Sequence, residues 1–249
     1  MKLSKVRDLN LIDLDNKTTL VIACDSCGAI GMKEGDAFKV PPLYVGKFSA
    51  RVALLEVLSS GAQVITITNN VCNEMEPTGN EVINGICEEL AEAGIDDAVL
   101  TGSTEENFKT ISTAVGITVI GVVPHNLLKV NTSLEGAEVI SIGLPKVGDE
   151  INYVKDDEII TYSHLKTLLA FKKVYEIIPV GSKGIAFECE QMALYNNLKI
   201  YFEDKPNVNI YKSSGPATCV IAAVKTDIIS EICMNLPNVN IIGRLMKNA

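Results

Sequence analysis

Residues 17–35 read KTTLVIACDSCGAIGMKEG, an apolar and β-branched run that passes into a glycine-bearing segment. The first eight residues have the composition of a buried strand, and the glycines after them are typical of a loop. Asp25 opens that loop, and Gly28, Gly31 and Lys33 follow within a short stretch. A carboxylate, backbone amides and an ammonium can therefore converge, as binding of Mg²⁺ and a triphosphate requires. A tight turn with a solvated lysine explains the same residues equally well.

The rest of the first half predicts a mixed α/β pattern. Residues 46–60 place apolar side chains at helical spacing, and Gly61 supplies a C-terminal stop. The spacing from Thr78 to Glu81 is that of a capping box at the start of a second helix. Further strands are predicted over residues 63–68, 98–101 and 117–123.

A polar stretch without a clear period, residues 124–135, separates this pattern from a second one. The second half again alternates short β-branched runs with amphipathic ones. Its predicted strands cover residues 138–143, 176–180, 199–202, 217–224 and 239–242, and its helices cover 163–173, 185–196 and 227–236. The sequence therefore predicts an α/β (α+β) chain with two domains, residues 1–125 and 126–249.

The composition disfavours several classes of partner. A formal net charge of −9 and a sequence pI near 4.8 oppose binding to nucleic acid or to an anionic membrane surface. An anionic cofactor would need a bridging cation. The longest apolar runs are too short to cross a bilayer, and no basic segment with an apolar run opens the chain, so we expect a cytoplasmic protein.

Common catalytic motifs are missing from the sequence. It contains no Walker phosphate loop, no Gly-x-Gly-x-x-Gly after the first strand, and no metal-binding His-Glu-x-x-His. Its two histidines, His125 and His164, stand in no motif, which favours solvated or structural roles. The seven cysteines fit reduced thiols, although the spacing of Cys24 and Cys27 leaves thiol redox chemistry open as an alternative.

Two further groups of polar residues are candidates for a site. Glu56 interrupts an apolar helical stretch, so its carboxylate lies either on a solvent stripe or in a cleft. The segment GSTEEN after the strand at 98–101 contains Gly102, Ser103, Thr104, Glu105 and Asn107. Its hydroxyl, carboxylate and amide oxygens suit a divalent cation, but a helix N-cap at Ser103 or Thr104 explains the same letters.

Taken in order, these segments resemble the superfamily of aminoimidazole ribonucleotide (AIR) synthase, selenophosphate synthetase, thiamine-phosphate kinase and a hydrogenase maturation factor. Residues 25–33 are similar to the superfamily's Asp-Gly-x-Gly-x-Lys. Residues 46–62 resemble its helix ending in Asn-Asp-x-x-x-x-Gly-Ala, with Glu56 in place of the aspartate. Residues 101–104 fall where the superfamily has Gly-Gly-Asp/Glu-Thr, and the C-terminal similarity lies in 214–221 and 242–245.

The resemblance implies an AIR synthase-like fold, with an N-terminal ATP- and metal-binding domain and a homodimer that closes a shared β-barrel. It also implies ATP and Mg²⁺ as cofactors, with Asp25, Glu56 and Glu105 as metal ligands. The implied nucleotide-binding residues are Gly28, Gly31, Lys33, Gly102, Ser103, Thr104 and Asn107.

Within the superfamily, residues 26–33, 51–56 and 102–108 are most similar to α-ribazole kinases of cobalamin salvage. This similarity implies transfer of the ATP γ-phosphoryl group to the 5′-hydroxyl of a nucleoside-like small molecule, α-ribazole. Asp25, Lys33 and Asp36 would be the catalytic residues, with Asp36 as a candidate base. Two alternatives stay open: another ATP-dependent reaction of the synthase or ligase type, and a nucleotide-binding protein without catalysis.

Overall fold

The computed structural model describes residues 1–247, which divide into two compact units. Unit 1 comprises Met1–Leu58 and Ala62–Asn126, and unit 2 comprises Ser59–Gly61 and the chain from Leu127 onward. Both units combine sheets with helices, so the predicted mixed α/β class is confirmed. Among the described residues, each helix is too short or too polar to traverse a lipid bilayer.

Unit 1 is built on a six-stranded sheet and two helices. Its elements are β1 (Lys2–Val6), β2 (Leu9–Asp13), β3 (Thr18–Gly28), β4 (Ile30–Gly31), β5 (Phe38–Lys39), α1 (Pro42–Ser59), β6 (Gln63–Val71), α2 (Asn80–Ala93), β7 (Val99–Thr104) and β8 (Ala114–Pro124). The strand order in the sheet is β1-β2-β3-β8-β6-β7, and the short strands β4 and β5 form a separate parallel pair. All neighbours in the large sheet are antiparallel except β6 and β7.

The alternation along β8 decides which face of the sheet becomes the core. Val115, Ile117 and Val119 are buried, whereas the residues between them are only partly covered. Because successive side chains of a strand point to opposite faces, one face packs inward and the other stays partly accessible. Each fully buried aliphatic side chain contributes about 1.5–3 kcal/mol relative to an exposed one.

Helices α1 and α2 approach each other closely at two glycines. A Cβ on Gly46 would lie 2.0 Å from the Val82 carbonyl oxygen, and one on Gly85 would lie 1.9 Å from the Leu43 carbonyl oxygen. Beside this contact, the buried side chains of Arg51 and Glu89 form an ion pair at 3.4 Å. The small residues therefore permit the helix pair that supports the sheet under the candidate site.

Unit 2 contains a five-stranded antiparallel sheet of order β10-β12-β9-β13-β11. Its elements are β9 (Glu138–Ile142), α3 (Tyr162–Ala170), β10 (Val174–Pro179), α4 (Gly184–Tyr195), β11 (Leu198–Phe202), β12 (Val220–Val224), α5 (Ile229–Asn235) and β13 (Val239–Lys247). Its core combines Val139, Ile178 and Ile221 of the sheet with Cys189 and Met192 of α4. The predicted elements of the second half are all present, with shifted ends.

Two local predictions in unit 1 are wrong. The capping box at Thr78 does not form, because a π-helical turn over Met75–Gly79 precedes α2, and Thr78 donates its hydroxyl hydrogen bond to Glu74 instead. A helix N-cap at Ser103 or Thr104 is also absent, because both residues belong to strand β7. The predicted strand ended at residue 101, but pairing with β6 extends β7 past Gly102 to Thr104.

Candidate functional site

Asp36 ties the glycine-bearing loop to the start of β8. Its carboxylate accepts hydrogen bonds from the backbone N–H of Lys33 at 2.9 Å and from the Ser112 hydroxyl at 2.9 Å. Thr113 donates twice, from its backbone N–H at 2.6 Å and from its hydroxyl at 2.7 Å. Burial alone would raise the pKa of Asp36, but these four donors hold it below the ordinary value. A carboxylate satisfied in this way organises a loop, and its role as a base stays a prediction.

Gly31 lies inside this arrangement and has no room for a side chain. Its φ of +155° is rarely adopted by other residues, and a Cβ there would lie 2.2 Å from the Thr113 hydroxyl oxygen. Gly28 differs, because no atom lies within 4 Å of the position that its Cβ would occupy. Two of the three predicted nucleotide-binding glycines therefore differ: Gly31 is required by packing, whereas the space beside Gly28 is open to an approaching ligand.

Lys33 lies on the wall of a pocket of about 370 Å³, which we call the Lys33–Glu74 pocket. Its ammonium donates to both carboxylate oxygens of Glu74, at 2.7 and 2.9 Å. The pocket is lined by Met32, Lys33, Pro41, Pro42, Glu74, Pro77, Thr78, Glu81 and Thr113. The predicted phosphate-binding lysine is thus held in place by a carboxylate that the sequence did not single out.

Glu74 is fixed from a second side by Thr78, whose buried hydroxyl donates to Oε1 at 2.6 Å. Burial would raise the pKa of Glu74, but the hydrogen bonds from Lys33 and Thr78 hold it below the ordinary value. Glu74 is therefore ionised at neutral pH. The residue follows β6 and precedes the turn over Met75–Gly79, so the end of a strand and the start of a helical segment fix its position.

Asp25 occupies the end of β3 opposite Ile117 of β8. Burial raises the pKa of Asp25 to about 6, the backbone hydrogen bond from Ser26 opposes that rise, and the negative charge of Asp8 adds to it. A carboxylate in this state is destabilised when ionised, and a bound cation would relieve the destabilisation. Asp25 therefore has the electrostatic character that the predicted metal ligand requires.

The arrangement of Cys24 and Cys27 contradicts the thiol redox alternative. Both residues lie on β3, where a separation of three positions places their side chains on opposite faces, about 10 Å apart along the strand. A disulfide requires Cα atoms within about 7 Å. Burial also raises the pKa of the Cys27 thiol, and the charges of Asp25 and Asp36 add to that rise, so its thiolate is disfavoured.

The two histidines take local structural roles. The His125 Nε2 atom lies 3.2 Å from a carboxylate oxygen of Asp13, and His164 Nδ1 accepts from the Thr161 backbone at the start of α3. Burial lowers the pKa of His164.

Gly102, Ser103 and Thr104 form the end of the edge strand β7, beside Asn69–Val71 of β6. A Cβ on Gly102 would lie 2.4 Å from Oδ1 of Asn69, so this glycine makes room for a buried amide. Ser103 is exposed, and the Thr104 hydroxyl donates to Glu106 at 2.8 Å. Their contact with a nucleotide stays a prediction.

Glu105 and Asn107 belong to the loop between β7 and β8. The Glu105 carboxylate accepts from the backbone N–H groups of Asn107 at 2.7 Å and Phe108 at 3.3 Å. The fully buried Asn73 ties the far end of this loop down, because its amide donates to Ser112 and accepts from the backbone of Ala114. Glu105 therefore stabilises its own turn.

The three predicted metal ligands do not form a cluster in the described part of the chain. Glu56 is half-buried on α1 between the fully buried Leu55 and Val57. Across residues 1–247, no three carboxylate, imidazole or thiol side chains converge closely enough to hold a metal ion. Since Mg²⁺ is commonly bound by one or two carboxylates together with phosphate oxygens and water, ligation by Asp25, Glu56 and Glu105 stays a prediction.

Sequence reasoning missed Glu74, Thr78, Asn73 and Thr113 as parts of the site. Glu74 stands in CNEMEPTG, where no pattern distinguishes it from the neighbouring polar residues. Thr78 was assigned to the start of a helix because of its capping-box spacing. Asn73 and Thr113 act through backbone contacts, which no local pattern reveals. Only the end of β6 and the start of β8, brought side by side in the sheet, identify them.

Comparison with known proteins finds one family model that is similar to the first half of the chain. Residues 7–123 match the family model described as AIR synthase related protein, N-terminal domain. This range covers the glycine-bearing loop and the Lys33–Glu74 pocket. None of the curated protein sequences matches the chain significantly.

Several solved structures share the fold along nearly the whole chain. PurL from Thermotoga maritima complexed with ADP is 14% identical, with a TM-score of 0.71, and the match covers 98% of this chain and 42% of that one. Thiamine-monophosphate kinase from Stenotrophomonas maltophilia K279a is 15% identical, with a TM-score of 0.65 and coverages of 99% and 89%. A ThiL protein complexed with AMPPCP and TMP is 14% identical, with a TM-score of 0.68 and coverages of 98% and 87%. The predicted AIR synthase-like fold is thereby confirmed, and this chain spans about two fifths of the PurL chains.

Proposed function

We propose that the chain is an ATP-dependent phosphotransferase that converts α-ribazole and ATP to α-ribazole 5′-phosphate and ADP. The observation that supports it most strongly is the Lys33 ammonium, fixed by Glu74 on the wall of a pocket beside an open glycine backbone. An ammonium and a carboxylate that can hold a cation are groups that phosphoryl transfer uses to bind and neutralise phosphates.

The proposed roles follow from how each residue is held. Lys33 would bind phosphate oxygens, and the backbone near Gly28 would donate hydrogen bonds to them. Asp25 would orient a bound Mg²⁺ through its carboxylate, with Glu56 and Glu105 as further candidate ligands. The cation, when bound, would neutralise charge on the phosphates. Gly102, Ser103, Thr104 and Asn107 would contact the nucleotide from β7 and its loop.

The similarity to thiamine-monophosphate kinase and to a ThiL protein supports a phosphotransferase. Both structures match this chain along nearly nine tenths of their own length. The assignment of α-ribazole as acceptor rests on the sequence resemblance described above.

Mass spectrometry of reactions with purified protein and Mg-ATP tests the proposal. α-Ribazole should gain the mass of one phosphate group, whereas adenosine, thiamine phosphate and formylglycinamidine ribonucleotide should not. The product should disappear in Asp25→Ala. Absence of product from α-ribazole, with phosphate gained by another compound, would assign a different acceptor to the same chemistry.

A synthase-type reaction is the second candidate, because phosphoribosylformylglycinamidine synthase II from Thermotoga maritima also shares the fold at a TM-score of 0.65. Such an enzyme releases inorganic phosphate and leaves no phosphorylated product. ATP binding without either product would favour a nucleotide-binding protein without catalysis.

The proposal includes a homodimer, as the family resemblance implies. Light scattering coupled to size exclusion measures its mass directly, and a mass near 26.8 kDa would show a monomer and contradict this part of the proposal.

A further inference from the structure

The charge of the Lys33–Glu74 pocket does not suit a triphosphate. Glu74 already neutralises Lys33 through two short hydrogen bonds. Glu81 adds a second carboxylate to the lining, and within residues 1–247 it takes part in no salt bridge. The pocket therefore carries a net negative charge, which would repel a phosphate chain placed inside it.

The remaining lining suits a flat apolar ring with hydroxyl groups attached. Pro41, Pro42 and Pro77 supply rigid apolar surface, and the side chain of Met32 is flexible and polarizable. Thr78 and Thr113 line the pocket, but their hydroxyls already donate to Glu74 and Asp36. A volume of about 370 Å³ lies in the range of small-molecule sites, roughly 300–1,000 Å³.

We propose that the Lys33–Glu74 pocket is the acceptor subsite and binds an uncharged nucleoside, with its base against the prolines and its sugar hydroxyls donating to Glu74 and Glu81. Carboxylates are common acceptors for ribose hydroxyls. This inference rests on the proposed function. Lys33 would then lie between the nucleoside and the ATP phosphates, because it belongs both to the glycine-bearing loop and to the pocket wall.

The placement assigns the proton-accepting role to Glu74. The acceptor hydroxyl donates its proton to the Glu74 carboxylate while its oxygen bonds to the γ-phosphorus and the bond from that phosphorus to the ADP oxygen breaks. Asp36 is only 6% exposed and does not belong to the pocket lining, so a substrate hydroxyl has little access to it. Glu74 is 31% exposed at its side chain and lines the pocket.

Calorimetric titration of the full chain with α-ribazole, in the absence of ATP, tests the pocket without requiring turnover. Glu81→Gln should weaken α-ribazole binding by about 5- to 20-fold, because it replaces charged hydrogen-bond acceptors with a neutral amide. Its affinity for Mg-ATP should stay unchanged. Glu88→Gln is the matched control, since it removes the same charge from an exposed position of the same helix, and both affinities should equal those of the wild type.

Glu74→Gln tests the proton-accepting role, with thermal denaturation as the check that the variant folds. The turnover number should fall by about 100-fold or more, while the affinity for Mg-ATP is kept or increased as Lys33 loses its partner. Loss of ATP affinity in Glu74→Gln and Glu81→Gln, with α-ribazole binding intact, would overturn the inference and assign the pocket to the nucleotide.

Two further outcomes separate this inference from the proposed function. A wild-type chain that binds α-ribazole through Glu81 but forms no product would contradict the kinase reaction and leave the subsite standing. A wild-type chain that binds Mg-ATP but neither α-ribazole nor adenosine would overturn the subsite and leave an ATP-dependent function standing.

Discussion

Two carboxylates eleven positions apart, Asp25 and Asp36, are held in opposite ways by the same segment of chain. At the end of β3, Asp25 is buried among few donors, and burial raises its pKa to about 6. In the loop, Asp36 is only 6% exposed, and four hydrogen bonds keep its pKa below the ordinary value. The comparison shows that hydrogen-bond donors offset the effect of burial at Asp36 but not at Asp25, and ligand binding by Asp25 stays a prediction.

The largest expected effect comes from the glycines that belong to these two regions. Gly31→Ala should lower the free energy of unfolding by about 3–5 kcal/mol, because its Cβ would collide with Thr113 and Asp36. Gly28→Ala, the matched control at the strand end, should stay within about 1 kcal/mol of the wild type. Urea unfolding followed by circular dichroism measures both. Equal losses of unfolding free energy in the two variants would mean that the two glycines are packed alike.

Asp36→Asn should lower the free energy of unfolding by about 2–3 kcal/mol. One carboxylate oxygen, which accepts hydrogen bonds from Lys33 and Thr113, would be replaced by an amide nitrogen that cannot accept them. The folded fraction should keep measurable phosphotransfer activity. Chemical denaturation and a turnover assay on the same preparation decide the outcome. Unchanged stability with turnover reduced by about 100-fold would identify Asp36 as the base after all.

Asp25→Asn should stabilise the metal-free chain by about 1–2 kcal/mol at pH 8, after allowing for solvent screening of a half-buried group. The folded-state pKa lies above the unfolded value, so ionisation of Asp25 opposes folding at high pH. The difference between variant and wild type should shrink as the pH falls through 6 and vanish near pH 4. Thermal unfolding across this range measures it, with the exposed Asp97→Asn of the same unit as the control. A variant less stable than wild type at pH 8 would contradict the contrast between the two aspartates.

The smallest effect concerns Glu74, which is partly exposed like Asp25 but supplied with donors like Asp36. Thr78→Val should cost about 1 kcal/mol of unfolding free energy through the lost hydrogen bond to Glu74. It should also raise the pKa of Glu74 toward its ordinary value, because one of the donors that stabilise the carboxylate is removed. NMR titration of the carboxyl carbons follows this pKa. An unchanged pKa in Thr78→Val would show that Lys33 alone holds Glu74.

Much of the fold could be predicted because periodicity is a local signal. The strand at 17–24, the helix at 46–60 and the stop at Gly61 all have their signal within a few residues, and Gly61 does adopt a positive φ of 84° after α1. The N-terminal strands β1 and β2 were not predicted. Each has only five residues and mixes polar with apolar side chains, so its position depends on pairing, β1 with β2 and β2 with β3, rather than on its own pattern.

The candidate site was less predictable, because its geometry depends on contacts between distant segments. Asp25, Gly31 and Lys33 lie close in sequence and could be identified from one loop. Glu74 meets Lys33 across 41 positions, and Thr113 meets Asp36 across 77. No local spacing encodes such pairs, so only the folded chain distinguishes Asp36, whose carboxylate accepts four hydrogen bonds, from Asp25.

The most direct test of the account is a calorimetric titration of the wild type and Asp25→Asn with ATP, with and without Mg²⁺. Because Asp25→Asn is expected to fold at least as stably as the wild type, a change in affinity reports on the ligand rather than on folding. We predict that the wild type binds ATP only with Mg²⁺, and that Asp25→Asn weakens this binding by about tenfold or more, equivalent to about 1.4 kcal/mol. ATP binding that is independent of Mg²⁺, or equal in the two proteins, would contradict the assignment of Asp25 and its loop to the nucleotide site.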